Sequence, residues 1–104
     1  MFLHISEAKP VGDYRVEVVF NDGRRGVADL SSFLTGPVFG PVRDPDFFAQ
    51  LKVDEKTQTV VWPNGADLAP EYLYFRAFQH VPELQQQFSE WGYLDPVEAR
   101  NTRG

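Results

Sequence analysis

An alternating run at residues 14–20, followed by a glycine-containing turn, constrains the fold of this chain more than any other segment. Apolar side chains occupy every second position, and Arg15 and Glu17 lie between them. A period of two is typical of a half-buried β-strand, and Asp22-Gly23 directly after it is typical of a tight hairpin turn. Residues 25–30 are therefore predicted to return as an antiparallel partner strand. The positions that share the apolar face are Tyr14, Val16, Val18 and Phe20.

Further strands are predicted on either side of this hairpin. Residues 2–8 are typical of a short strand, and residues 51–54 and 59–62 form a second hairpin. Pro63-Asn64-Gly65 ends the last strand, because proline lacks an N–H for the ladder and Asn-Gly adopts positive φ. In the return strand of the first hairpin, Val27 faces opposite to Ala28 and Leu30. Either of its faces can therefore be the buried one.

Capping residues and spacing predict the helices. Residues 31–34 are expected to form one helical turn ended by Gly36, and residues 36–43 an ordered loop. Asp44-Pro45-Asp46 is typical of a helix start. Pro70 begins a helix that runs to about residue 79, and a third helix follows Pro82 and ends at Gly92. Its apolar positions recur at helical spacing, and they are Val81, Leu84, Phe88 and Trp91.

These elements predict an α+β fold with a small antiparallel sheet of about five strands and two or three helices packed on one face. We expect residues 1–79 to form the core domain. Residues 80–104 are expected to form a C-terminal helical extension that is packed on the core or swapped between copies. A chain of 104 residues with 42% hydrophobic side chains can bury such a core without disulfides.

Composition narrows the classes of function. The chain has no cysteine, which fits a reducing cytoplasm, and it shows neither a signal peptide nor a membrane-spanning stretch. Its net charge of −5 opposes the phosphate contacts on which nucleic-acid affinity depends. Direct nucleic-acid binding by a monomer is therefore not expected. The alternative is an oligomer that uses the basic residues Arg24, Arg25, Arg100 and Arg103.

Residues for catalysis or metal binding do not form a recognisable pattern. The serines lie outside any G-x-S-x-G turn, and His4 and His80 lack the spacing of a helical metal-ligand pair. We therefore expect a non-enzymatic protein with no metal and no cofactor. A small enzyme with a site near residues 62–67 is the other possibility, because Asp67 and Glu71 lie within one helical turn of each other.

The order and spacing of several short motifs resemble a known family. The motifs are Tyr14-Arg15-Val16-Glu17-Val18-Val19-Phe20, Asp22-Gly23, Val27-Ala28-Asp29-Leu30, Gly36-Pro37-Val38-Phe39, Arg43-Asp44-Pro45-Asp46-Phe47-Phe48 and Val60-Val61-Trp62-Pro63-Asn64-Gly65-Ala66-Asp67-Leu68. Together they are similar to the bacterial family called domain of unknown function 2442. The resemblance implies a small α+β fold with an antiparallel sheet, and it brings no established catalytic residues.

The resemblance also bears on partners. Some members of that family carry a helix-turn-helix domain after this module, and others resemble the antitoxin-side partner of a small toxin-like protein. This chain departs from the family pattern at Gln58, where a glycine is usual. Residues 80–104 lie beyond the family core and offer one helix, which is too little for a helix-turn-helix domain.

We therefore predict a protein-binding module, antitoxin-like in its most concrete form, with a small basic protein as partner and a homodimer as a possible assembly. The helix at residues 70–79 carries more aromatic side chains than one sheet face can cover, and aromatic residues and arginine are typical of interface centres. The predicted binding residues are Trp62, Asn64, Asp67, Tyr72, Tyr74 and Arg76.

Overall fold

The computed structural model describes residues 2–93, which contain five β-strands and four α-helices. The strands are β1 (Ile5–Pro10), β2 (Arg15–Phe20), β3 (Arg25–Asp29), β4 (Lys52–Val53) and β5 (Val60–Val61). The helices are α1 (Gly36–Phe39), α2 (Pro45–Phe48), α3 (Pro70–Phe78) and α4 (Gln85–Glu90), with 3-10 turns at Gly40–Arg43 and Pro82–Leu84. The α+β prediction is confirmed.

The central layer is an antiparallel sheet in the order β1-β2-β3. The alternation in β2 is confirmed, because Val16, Val18 and Phe20 are buried while Arg15 is exposed. In β3 the buried face carries Ala28, and Val27 on the opposite face is 44% exposed. The register of β3 against β2 therefore determines which face of β3 is buried, a choice that the sequence alone left open.

The five predicted strands form two sheets instead of one. Among the five strands, β4 and β5 pair only with each other, over two residues each, and Val61 of β5 also forms an isolated bridge with Asp67. One backbone bond joins this hairpin to β1, from the N–H of Ile5 to the carbonyl of Gln58 (2.9 Å). A β-bulge between Ile5 and Glu7 shifts the register of β1 at this point, and a bulge interrupts regular pairing.

The turn between β1 and β2 differs from the prediction that Tyr14 begins the strand. Asp13 and Tyr14 have φ values of 46° and 62°, and the N–H of Arg15 donates to the carbonyl of Gly12 (2.9 Å). These two left-handed residues form a tight primed turn that matches the strand twist. The Tyr14 ring nevertheless packs edge-on against Phe48, with ring centroids 5.5 Å apart.

Residues 31–43 also differ from the prediction. Residues 31–33 form a hydrogen-bonded turn and not a helix, because the Asp29 carboxylate accepts the N–H of Ser31 (2.9 Å). Gly36 begins α1 instead of ending a helix, and the expected loop at residues 36–43 is α1 followed by a 3-10 turn. Pro37 and Pro41 lie in the first turns of these two helices, where a missing N–H costs nothing.

The start of α2 matches the prediction, since the Asp44 carboxylate accepts the N–H of Asp46 (2.9 Å). Helix α3 begins at Pro70 as expected and packs on the buried face of β3. Helix α4 packs against α3, and its Phe88 is fully buried against Phe75 and Tyr74, with ring centroids 5.1 and 6.2 Å apart. Predictions for residues 94–104 lie outside the described residues. Within residues 2–93, no helix has the length and apolar character needed to cross a membrane.

Gln58 is predicted to limit stability, because it adopts φ 57° in the turn between β4 and β5. A left-handed conformation costs a residue with a Cβ roughly 1–2 kcal/mol, and glycine is nearly free of that cost. Replacing Gln58→Gly should therefore raise the free energy of unfolding in urea by about 0.5–1 kcal/mol after the entropy cost of glycine. Gln58→Ala, which keeps the Cβ, is the control and should not stabilise. Equal effects of the two substitutions would contradict the strain argument.

Gly26 is predicted to be required for the contact between β3 and α3. A Cβ at this position would lie 2.6 Å from Cε1 of Phe78 and 3.2 Å from Cβ of Ala77. Gly26→Ala should therefore lower the free energy of unfolding by about 1–3 kcal/mol through overpacking. Gly40→Ala, which meets no atom within 4 Å, should be neutral or stabilising in the same urea titration. The contact is not limiting if Gly26→Ala unfolds at the wild-type urea concentration.

Candidate functional site

Five partly buried aromatic rings form a continuous string on one side of the molecule. We call this string the aromatic patch, and it consists of Phe39, Phe33, Tyr72, Tyr93 and Phe75. Successive ring centroids lie 4.9, 4.9, 5.8 and 5.2 Å apart in that order. Distances of 4.5–7 Å are those of favourable aromatic pairs, so the rings support one another while part of their surface stays accessible.

Two of the predicted binding residues contact α1, the helix that carries Phe39 of the patch. Trp62 is only 2% exposed, and its indole Nε1–H donates to the carbonyl of Phe48 (3.0 Å). Its ring lies edge-on to Phe39, with centroids 6.3 Å apart. Asn64 donates from Nδ2 to the carbonyl of Val38 (2.9 Å), which fixes α1 beside the turn at residues 63–65. The abrupt strand end that the sequence predicted therefore positions Phe39.

Tyr72 is the predicted residue that lies in the patch itself. It contacts Phe33 and Tyr93, and burial raises the pKa of its hydroxyl, although the nearby Arg76 guanidinium partly opposes the shift. Arg76 lies one turn further along α3 and donates from Nε (3.2 Å) and Nη2 (2.8 Å) to the carbonyl of Asp29. It thereby fixes α3 to the end of β3.

Tyr74 is not one of the patch rings, and it reaches them through Phe88 and Trp91 of the α4 segment. Its ring packs edge-on against Phe20, with centroids 4.9 Å apart, and its hydroxyl donates to Oδ2 of Asp22 (2.7 Å). Burial, together with the Asp22 carboxylate, raises the pKa of Tyr74 to about 12. This hydroxyl joins the turn between β2 and β3 to α3.

Asp67 is exposed at the bridge that its backbone forms with Val61. The neighbouring Thr59 hydroxyl donates to the carbonyl of Leu68, which closes this strand end. Of the six predicted binding residues, the structure thus brings Trp62, Asn64 and Tyr72 together around the patch. The other three predicted residues are not part of the patch, and they are Tyr74, Arg76 and Asp67.

Sequence reasoning missed most of the patch. Phe33 and Phe39 lie in the segment that was predicted as a turn and loop, and Tyr93 follows α4. One sequence feature marks this segment: residues 33–39 hold four apolar residues around Gly36 and Pro37, and these are Phe33, Leu34, Val38 and Phe39. Val38 is 51% exposed, and an exposed valine beside aromatic rings extends the apolar surface.

A concave feature lies beside the turn at Asp13 and Tyr14. It is a cleft of about 220 Å³, lined mainly by prolines and aromatic rings that include Tyr14, Pro45 and Phe48. Its acidic group is Asp13, whose side chain is 89% exposed and lies 3.5 Å from Arg15. Water screens such an exposed carboxylate, so the charge of Asp13 adds little to the interactions that the cleft can make.

Fold and surface together define a small α+β protein with a partly exposed aromatic surface on an acidic body. The sequence model of the family described as "Protein of unknown function (DUF2442)" matches residues 5–79. The chain therefore belongs to this family, and the resemblance noted from its motifs is confirmed. The match ends at the C-terminal end of α3. A search of curated proteins finds no match.

A solved structure shares the fold. It is the crystal structure of a protein from Nitrosomonas europaea that is described as a "Putative DNA Binding Protein". The TM-score is 0.70 at 19% sequence identity, and the match covers 91% of this chain and 64% of that one. At this identity the likeness shows the fold alone. This chain spans less than two thirds of the length of that protein.

The hydroxyl of Tyr74 is predicted to make stability depend on alkaline pH. The folded pKa of about 12 lies above the unfolded value of 10.0, so the unfolded chain loses this proton first. The stabilisation is complete below pH 10 and is lost as the pH rises toward 12. Urea unfolding should show a smaller loss between these pH values for Tyr74→Phe than for the wild type.

At pH 7 the same substitution should cost about 1 kcal/mol, which is typical of a lost hydrogen bond. Tyr72→Phe is the matched control for this cost at pH 7, because the Tyr72 hydroxyl does not lie at the Asp22 contact, and it should cost less than Tyr74→Phe. An unchanged alkaline slope in Tyr74→Phe would contradict the assigned bond.

Proposed function

We propose that this protein is a non-enzymatic binding module whose partner is another protein, and that the partner docks on the aromatic patch. The single observation that carries the proposal is the string of five contacting, partly buried rings. Aromatic rings provide large contact area at low entropy cost, and they dominate the energetically important centres of protein interfaces. The support of the patch by Trp62 and Asn64 keeps the rings preorganised.

Charge favours a basic partner. The chain has a net charge of −5, and Glu71 lies close enough to Tyr93 to raise the pKa of that hydroxyl further, after burial as the main cause. Opposite charges accelerate encounter, whereas buried apolar contacts slow dissociation. The most concrete form of the proposal is antitoxin-like: the patch covers the working surface of a small basic toxin-like protein.

A second candidate function is association with nucleic acid as an oligomer. The observation that favours it is the description of the structurally similar protein from Nitrosomonas europaea as a "Putative DNA Binding Protein". In this chain the basic residues Arg24 and Arg25 lie together at the first hairpin, and both are exposed. Binding through such contacts falls steeply with salt, so a DNA affinity that does not change between about 50 and 200 mM salt would exclude this candidate.

Placing a positive charge in the aromatic patch is predicted to abolish partner binding. Tyr72→Arg removes the central ring and adds a charge that repels a basic partner, so affinity should fall at least about 100-fold, as for a hot-spot residue. The tagged protein is purified from its native host, and the amount of basic protein recovered with it is quantified. Calorimetry then measures the affinity for the purified partner.

Val11→Arg is the matched control, because Val11 is 42% exposed at the hairpin end, outside the patch. It should recover the partner as the wild type does. Recovery of the same protein by Tyr72→Arg and by the wild type in equal amounts would contradict docking on the patch.

A further inference from the structure

The outer edge of β3 exposes backbone groups that are not used in the fold. Leu30 donates its N–H to the carbonyl of Tyr14 (2.9 Å), and bonded positions alternate along an antiparallel pair. The even-numbered residues of β3 therefore bond to β2. The odd-numbered residues, Arg25, Val27 and Asp29, direct their N–H and C=O groups away from the sheet.

Little within residues 2–93 covers these groups. The Arg76 guanidinium donates to the carbonyl of Asp29 from both Nε and Nη2, so this oxygen is occupied, and the outward groups of Arg25 and Val27 are the ones that remain. Strand β3 pairs with β2 only, so its edge has no strand partner among the described residues. Val27, in the middle of the edge, is 44% exposed. An uncovered strand edge is a template for another strand.

The opposite edge of the same sheet is protected. By the same alternation, Pro10 of β1 lies where its missing N–H would face outward. The bulge between Ile5 and Glu7 interrupts β1, and the N–H of Ile5 is taken by Gln58. Proline and bulges are the usual means of preventing strand addition. Strand β3 has neither, so the two edges of the sheet differ in kind.

We propose that β3 pairs with β3 of a second copy of this chain, antiparallel and centred on Val27. This register places Arg25 of one copy opposite Asp29 of the other, and the two-fold symmetry repeats the pair. Directly opposed side chains on one face lie about 5 Å apart, within reach of an ion pair. The edge is therefore complementary in charge to itself, which is the requirement for a symmetric dimer.

The existing contacts of these residues are compatible with the pairing. The Arg25 side chain is 59% exposed and lies 3.7 Å from Glu17, so it can reach across the edge as well. Asp29 is exposed, and its carboxylate accepts the N–H of Ser31 through Oδ1. A second copy of this chain fits the charges of this edge, because its own β3 carries Arg25 and Asp29 in the complementary order. An unrelated strand does not in general carry these two charges at these positions.

The interface is small, so the dimer is a concentration-dependent equilibrium. The pairing uses the edge of β3, which contributes no ring to the aromatic patch, so it can be tested separately from the proposed function. Sedimentation of the full chain should show a shift from the 11.9 kDa monomer toward twice that mass as protein concentration rises to about 1 mM.

Charge variants test the register. Arg25→Glu places like charges opposite each other and should abolish the shift in mass. Lys9→Glu is the matched control, because Lys9 also pairs with Glu17 (3.5 Å) but lies on the protected strand; it should dimerise as the wild type does. The exchange Arg25→Glu with Asp29→Lys restores opposite charges and should restore the dimer.

A cysteine variant tests the centre of symmetry without altering charge. The chain has no cysteine, so Val27→Cys introduces a single thiol. Residues opposed in a bonded antiparallel pair have Cα atoms about 5.5 Å apart, which is within the range of a disulfide. Oxidation should crosslink Val27→Cys into a covalent dimer. Val38→Cys, which is 51% exposed on α1, should remain a monomer.

Three results would each overturn the proposal. The first is a wild type that sediments at the monomer mass at every concentration. The second is an equal loss of association in Arg25→Glu and Lys9→Glu. The third is crosslinking of Val27→Cys at the rate of Val38→Cys, which would show random collision instead of a paired edge.

Discussion

The close approach of α3 to β3 at Gly26 is the contact on which the rest of the structure depends. Because Gly26 lacks a Cβ, Phe78 and Ala77 lie directly against the strand. Two polar contacts then fix the helix at separate points of the sheet. Arg76 donates to the carbonyl of Asp29 at the end of β3, and Tyr74 donates to Asp22 at the first hairpin turn. A three-stranded sheet this small needs a helix fixed in this way to bury its apolar face.

The position of α3 also creates the candidate binding surface. One side of the helix buries Leu73 and Phe78 in the core, and α4 covers part of the other side. The rings that remain, Tyr72 and Phe75, meet Phe33 and the end of the α4 segment at Tyr93. The aromatic patch therefore results from an excess of aromatic residues over the sheet area available to cover them. That excess is the feature from which the sequence predicted a protein interface.

Local features of the sequence predicted local structure well. The alternation in β2, the Asp44-Pro45 helix start and the Pro70 helix start are each determined by neighbours in the chain, and each is confirmed. The elements that were predicted wrongly depend on contacts between residues that are distant in the sequence. Helix α1, which begins at Gly36, is held by Asn64, which donates to the carbonyl of Val38, and the β4–β5 hairpin is a separate sheet beside the bulge in β1. Of the site, the sequence indicated Tyr72 and its supports, Trp62 and Asn64. Phe33 and Phe39 could not be placed, because their position follows from tertiary packing.

Native-state hydrogen exchange tests the central claim most directly, since it measures the opening free energy of each backbone amide. If α3 and the sheet form one cooperative unit, the amides of Phe78 and Ala77 should exchange with the same opening free energy as those of Val18 and Ala28. That value should equal the free energy of global unfolding. Exchange of the α3 amides at a much lower opening free energy, while β2 and β3 stay protected, would contradict the account.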